Sequence, residues 1–222
     1  MAPQGCLGRE GLFDPLDRRY FRLINRAPAL GDEINWARLD QYSAREKFAA
    51  IFNAHNVRKE SYFDLMTHFD FKTLLPALLQ VEDRMSMAHG LESRVPLLDH
   101  RVVELAATIP AMIKFKNGTM KHIFREVARE IVPAAIVDRQ DKMGFPPPLT
   151  EWMTGQARDF VRDVFSSAQA ANRELVNNRR VLETLNQEPR FGRTIWGLLC
   201  LELWQQTFHD KAAEYQNWNR NV

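Results

Sequence analysis

LPALLQVEDRMSMAHGLESRVPLLD, residues 75–99, changes its periodicity partway along, and that change places a helix, a turn and the start of a second helix. Leu74, Leu78, Val81, Met85 and Ala88 recur at spacings of four and three, which predicts one helix with a buried stripe. Glu82, Asp83 and Ser86 fall off that stripe. Gly90 then permits a backbone turn that other residues resist. Beyond it Glu92, Arg94 and Asp99 are interleaved with Val95, Pro96, Leu97 and Leu98. Charged and apolar residues packed into so short a span face either one polar cleft or one another.

Both readings rest on the same residues. In the structural one Asp99 caps the next helix, and Asp83, Arg84, Glu92 and Arg94 form an ion network internal to the fold. In the functional one the same five side chains line a substrate cleft. Residue types alone favour the structural reading, because clustered charges serve structure as well as catalysis. If Arg84 or Arg94 pairs with Glu92 or Asp99 out of contact with water, Glu92→Ala is expected to cost about 3–5 kcal/mol.

Outward from this stretch the pattern is helical in both directions. Residues 1–13 are rich in Gly and lack periodicity, which predicts a flexible lead-in, with one helical domain over 14–222. Asp14-Pro15 opens a helix whose apolar side holds Phe21 and Ile24. Ser43-Ala44-Arg45-Glu46 is a capping box ahead of Phe48, Ile51 and Phe52. Further helices are predicted over 62–69, from Asp99 to Pro110, from Phe124 to Pro133, from Thr150, over 158–165 and over 179–185. Lys114 to Gly118 reads as a polar turn. Ile195 to Phe208 is apolar on nearly every side, which predicts a buried helix, and Glu202 inside it then needs a cation or donors. No stretch alternates as a strand does, so the fold class predicted is mainly α.

Composition narrows the function classes. The chain has 222 residues, 45% of them hydrophobic, enough to fold around one sizeable core or two small ones. Thirty basic and 28 acidic residues leave a net charge of +2, which argues against a nucleic-acid surface. No run is apolar enough to span a bilayer. Cys6 and Cys200 lie far apart, so neither a disulfide framework nor a zinc spacing is present, consistent with a reducing cytoplasm. The histidines are scattered, which predicts no metal site built on imidazole.

The second stretch with chemical content is RQDKMGFPPPLTEW, Arg139 to Trp152, too rich in Pro and Gly for a regular element. It holds Lys142, whose compact ammonium suits a phosphate or the charge that develops at an acyl phosphate. Taken alone, Lys142 reads as a solvated surface lysine, the usual fate of lysines.

The two stretches together resemble the glutamine-dependent asparagine synthetase family. EDRMSMA followed by LESRVPLLDHR is similar to the C-terminal half of that family's synthetase domain. Arg139, Lys142, Gly144, Phe145, Pro148 and Trp152 fill the pattern of its lysine loop, and GRTIWGLLCLELW from Gly192 to Trp204 is similar to its closing helix. The resemblance covers about 14–209. It implies the helical C-terminal part of an α/β ATP-pyrophosphatase-type synthetase domain. It also implies that Lys142 helps to hold the adenylated aspartate and its reaction with ammonia, while Trp196, Trp204 and Glu202 serve packing and a buried ion pair.

The family's Ser-Gly-Gly-x-Asp-Ser pyrophosphate loop, its Gly-Glu-Gly-x-Asp-Glu acidic motif and its N-terminal glutaminase cysteine do not occur in this sequence. The expectation is therefore a chain inactive alone, with ATP and Mg used in the complete enzyme and neither tightly bound here. The partner expected is the remainder of the synthetase and glutaminase polypeptide, with a homodimer as the other candidate. Amidotransferases acting on sugars or other carboxylates, a β-lactam-forming synthetase, and a non-catalytic helical module that binds a partner chain are the alternatives.

Overall fold

The computed structural model describes residues 11, 13–39, 41–57, 59, 61–140 and 147–220, with side chains through residue 217. Over these residues the protein is mainly α. The helices are α1 (Leu16–Ile24), α2 (Ala44–Phe52), α3 (Tyr62–Lys72), α4 (Leu74–Met87), α5 (His100–Thr108), α6 (Ala111–Lys114), α7 (His122–Ala128) and α8 (Ala134–Val137). They continue as α9 (Leu149–Thr154), α10 (Arg158–Ser166), α11 (Ala168–Ala171), α12 (Asn178–Thr184), α13 (Thr194–Trp204) and α14 (Ala212–Arg220). The described strands, β1 (Phe115–Lys116) and β2 (Thr119–Met120), form one antiparallel hairpin. The described residues divide into two compact units. Unit I draws on 23–43 and 147–220, and unit II on 11–22 and 44–140.

Local chemistry sets the helix starts in unit II. Pro15 precedes α1 and accepts from the Arg19 amide, so the proline occupies the first turn, where its missing N–H is no loss. The Ser61 hydroxyl accepts from the Asp64 amide at 3.2 Å and caps α3. Asp99 does the same for α5 through the Arg101 amide at 3.0 Å. Between β1 and β2, Asn117 and Gly118 both take positive φ, 50° and 76°, which matches the twist of a two-residue hairpin. The segment expected as a polar turn is therefore the tip of a hairpin.

The core of unit II is aromatic. Tyr20, Phe48, Phe52 and Leu65 are buried, and the Phe48 ring lies 4.9 Å from both Phe52 and Phe69. Such ring pairs add about 0.5–1.5 kcal/mol beyond their area. The Tyr20 hydroxyl donates to Asp70 at 2.8 Å, and burial followed by that carboxylate pushes the phenol up.

The core thins out along the chain. From Met66 to Ile136 no residue is buried. The stripe on α4 has a helical period, yet Leu74, Leu78, Val81 and Met85 are 53%, 58%, 63% and 63% exposed. The expectation of a buried stripe is corrected here. The period says which side of the helix is apolar, and α3, on which α4 packs, does not cover that side.

Unit I has a closed core of Ile34, Leu149, Met153, Val161, Val164, Phe165, Val181, Leu185, Ile195, Leu198 and Leu199. Residues 33–35 and 175–177 are stitched by Asn35 N–H to Leu175 O and Asn177 N–H to Glu33 O, both 2.9 Å. α13 buries one side only, through Ile195, Leu198, Leu199 and Glu202, while Trp196, Trp204 and Phe208 are exposed. This corrects the expectation of a helix buried all round.

Glu202 finds the cation its burial requires. Arg173 Nε donates to Glu202 at 2.7 Å, and its Nη2 reaches Asp210 at 2.6 Å. Gln206 donates to Glu202 at 2.9 Å, and the Gln169 amide donates to Asp210. Past Trp204 the helix widens into a π turn over Gln205–His209, closed by the Asp210 N–H on the Gln205 carbonyl at 3.1 Å. That turn carries Asp210 back beneath the Arg173 guanidinium.

Candidate functional site

The segment after α4 is shaped by its backbone. Gly90 at φ +69° ends the helix, with Leu91 N–H on Ser86 O and Gly90 N–H on Met87 O, both at 3.0 Å. These are the two bonds of a Schellman cap, which saturate the last carbonyls and demand a left-handed residue at Gly90. The loop is tied back to the helix by the Ser93 hydroxyl, which donates to the Glu82 carboxylate at 3.0 Å. Pro96–Leu98 forms a single 3-10 turn, and Asp99 then caps α5.

On this frame the five nominated residues separate. Arg94 Nη2 meets Glu92 Oε2 at 3.0 Å, one of the pairings expected. Both side chains are open to water, at 80% and 69% exposure. The expectation of a buried pair is thereby corrected, and an exposed pair contributes only about 0–1 kcal/mol. Glu92→Ala is accordingly expected to change the stability of this chain by less than about 1 kcal/mol, as read from thermal or denaturant melts. A loss of several kcal/mol would place the pair in a dry environment.

Asp99 pairs with neither Arg84 nor Arg94. Arg101 grips it with Nε at 3.0 Å and Nη2 at 3.1 Å, and the His100 ring nitrogen stands 3.9 Å away. The Arg101 guanidinium and amide hold the Asp99 carboxyl below the usual carboxylate range. Asp83 and Arg84 lie exposed on α4, and neither pairs with another described residue. Of the ion network offered as the structural reading, the Glu92–Arg94 pair alone forms among the described residues, while Asp99 caps α5 as that reading has it.

Sequence reasoning missed Glu82 and Arg101, the groups that fix Ser93 and Asp99. The signal for Arg101 was its place two residues past a capping aspartate, within reach of the same carboxylate. Glu82 carried none, since its partner Ser93 lies beyond the helix end.

Lys142, with Gly144 and Phe145, lies outside the described residues. The residues on either side are well held within their own units. In unit II, Arg129 Nη2 binds Asp138 at 2.7 Å and the Arg125 guanidinium donates to the Val137 carbonyl. In unit I, Leu149 and Met153 are core residues, the Thr150 hydroxyl donates to the Pro189 carbonyl at 2.7 Å, and Glu151 meets Arg190 at 3.1 Å. Elsewhere in unit I an open cleft of about 970 Å³ is lined by Asp32, Ile34, Asn35, Glu174, Val176, Asn177 and Arg180. It contains none of the nominated residues.

The arrangement after Gly90 offers an exposed carboxylate and an exposed guanidinium, side by side on a loop tied at both ends. Each keeps hydrogen-bonding positions turned to solvent. Such a pair suits a ligand that carries charges of both signs.

Comparison with known proteins agrees with this reading of the motifs. The profile of the asparagine synthase family matches residues 10–206. Asparagine synthetase [glutamine-hydrolyzing] 1 of Bacillus subtilis is 30% identical over 214 residues, 92% of this chain and 33% of the relative. A putative asparagine synthetase [glutamine-hydrolyzing] of Mycobacterium bovis is 35% identical over 155 residues, 67% of this chain and 23% of the relative. The human asparagine synthetase [glutamine-hydrolyzing] is 42% identical over 60 residues, 26% of this chain and 11% of the relative. No solved structure matches. The protein is thus a helical synthetase-type segment, and it belongs to the asparagine synthase family. It spans about a third or less of the length of these relatives. Among the described residues no helix is long and apolar enough to cross a membrane.

Proposed function

We propose that residues 14–222 are the helical C-terminal part of an ATP-pyrophosphatase-type synthetase domain. In the complete polypeptide that domain would convert aspartate, ATP and ammonia released from glutamine into asparagine, AMP and pyrophosphate. The observation that carries this reading is the family match over residues 10–206. The site is cytoplasmic in this proposal, in keeping with the absence of any disulfide framework in the sequence.

The chemistry explains why a part of this kind would be needed and why it would not suffice. A carboxylate is a poor electrophile. One of its oxygens must first attack the α-phosphorus of ATP, with loss of pyrophosphate. Ammonia then attacks the acyl carbon, the bond to the AMP oxygen breaks, and the nitrogen gives up a proton. Negative charge grows on the leaving phosphates, and held donors and cations favour it. Lys142 is the proposed cation at the adenylate. Glu92 and Arg94, with Asp83, Arg84 and Asp99 nearby in sequence, are the proposed cleft residues.

ATP and magnesium belong to the remainder of the polypeptide in this scheme. Among the described residues no three Asp, Glu, His or Cys side chains gather in a metal-holding cluster. The purified chain, incubated with ATP, magnesium, aspartate and ammonia, is expected to release neither AMP nor asparagine above background. Turnover would overturn the proposal that the chain depends on a separate nucleotide-binding part.

A further inference from the structure

The apolar side of α4 is the largest departure of this chain from an ordinary soluble surface. Leu74, Leu78, Val81 and Met85 follow one another at spacings of four, three and four, so they stand on one side of the helix. All four are more than half exposed, and α4 has no buried residue along its 14 positions. Three further apolar residues in the segment that follows, Leu91, Leu97 and Leu105, are 62–65% exposed. Soluble monomers seldom show apolar areas of this extent, and those that do use them to bind.

Two observations bear on what covers this side. The chain matches 92% of its own length but only a third of the Bacillus subtilis relative, so about two-thirds of such a polypeptide lies outside it. The exposure is also one-sided in its distribution. Unit I has a closed core, whereas unit II has no buried residue between Met66 and Ile136, the stretch that carries the family motif.

We propose that the Leu74–Leu78–Val81–Met85 side of α4 is the docking surface for the part of the synthetase polypeptide that this chain does not span. This rests on the synthetase reading above. Seating the missing part there would bring it beside Glu92 and Arg94, which follow α4 after a single capped turn, and would remove both from bulk water. The exposed pair would then become a desolvated one in the complete enzyme.

The test titrates the full 222-residue chain with the part of Bacillus subtilis asparagine synthetase 1 that it does not span, produced as a separate polypeptide. The wild-type chain is expected to bind. Leu78→Glu and Val81→Glu are each expected to bind about 10-fold more weakly or worse, since a charge placed in an apolar interface must be desolvated. Both positions are already exposed, so the circular dichroism and melting temperature of the variants should match the wild type. Arg179→Glu, on an exposed position of α12 in unit I, should bind as the wild type does. Undiminished binding by both α4 variants overturns the proposal. So does a failure of the wild-type chain to bind, or a wild-type homodimer that Val81→Glu dissolves, which would make a second copy the occupant. Release of AMP by the mixture is read separately. Binding without AMP keeps the docking surface and counts against the synthetase reading. AMP release that is equal in Val81→Glu and wild type does the reverse.

Discussion

Arg173→Ala is expected to lower stability by about 3–5 kcal/mol, the cost of leaving one member of a buried ion pair alone. Glu202 is the member left behind. Its side chain is 4% exposed, and Arg173 donates to it at 2.7 Å. Without the guanidinium, Gln206 at 2.9 Å remains as its partner, a neutral donor facing a full charge. The second substitution Glu202→Gln, made in the Arg173→Ala background, should recover part of the loss by removing that charge. Denaturant melts of the single and double variants check both statements, and an additive double variant would mean that the two groups do not interact.

The same guanidinium gives an acid signature. Hydrogen bonding to Arg173 holds the Asp210 carboxyl below its ordinary value of 3.8. A carboxyl lowered in the folded state binds its proton more readily when unfolded. Its contribution is therefore complete above about pH 3.8, and it is lost as the pH falls through the lower folded value. Asp210→Asn should flatten the acid limb of the stability profile and leave its slope near neutrality unchanged.

The second large effect concerns Lys142. In a complete synthetase containing this segment, Lys142→Ala is expected to slow amide formation on the order of 100–1000-fold, the usual consequence of losing one preorganised electrostatic contact to a developing charge. Glutamine hydrolysis should change little, because a cation placed at the adenylate does not serve the hydrolytic nucleophile. Lys142→Arg keeps the charge but replaces a point cation with a planar fork, so it should restore only part of the rate. Equal losses in both half-reactions would indicate a folding defect instead.

The parts of this fold that were legible in the sequence are those written in local chemistry. Asp14-Pro15 and Asp99 announce helix starts because their residue types suit the first turn itself, and the structure places α1 and α5 where they indicate. Gly90 announces a stop in the same local way. Asn117-Gly118 carried an equally local signal for a hairpin, but the flanking strands are two residues long, too short to show alternation. Burial was a different matter. Period reveals that α4 has an apolar side, but what covers that side depends on chain far from it. Glu202 likewise declared that it needed a cation. Arg173, 29 residues away, is placed by the packing of unit I rather than by any spacing. In the candidate site, the Glu92–Arg94 pairing was legible because the two are neighbours, whereas its exposure was not.

The π turn at Gln205–His209 makes this segment intolerant of changes in length. A residue added to or removed from an α-helix turns everything beyond it by about 100° around the axis. Asp210 meets Arg173 only because one extra residue is already accommodated in the wide turn. Deleting any single position between Glu202 and Asp210 would let the helix tighten to its ordinary pitch, which by itself costs nothing. The carboxylate would then swing away from the guanidinium, and α14 would leave in a new direction. The exposed side chains along this stretch can be exchanged with modest consequence, but the number of residues cannot. A single-codon deletion here should therefore be more damaging than any exposed substitution at the same positions.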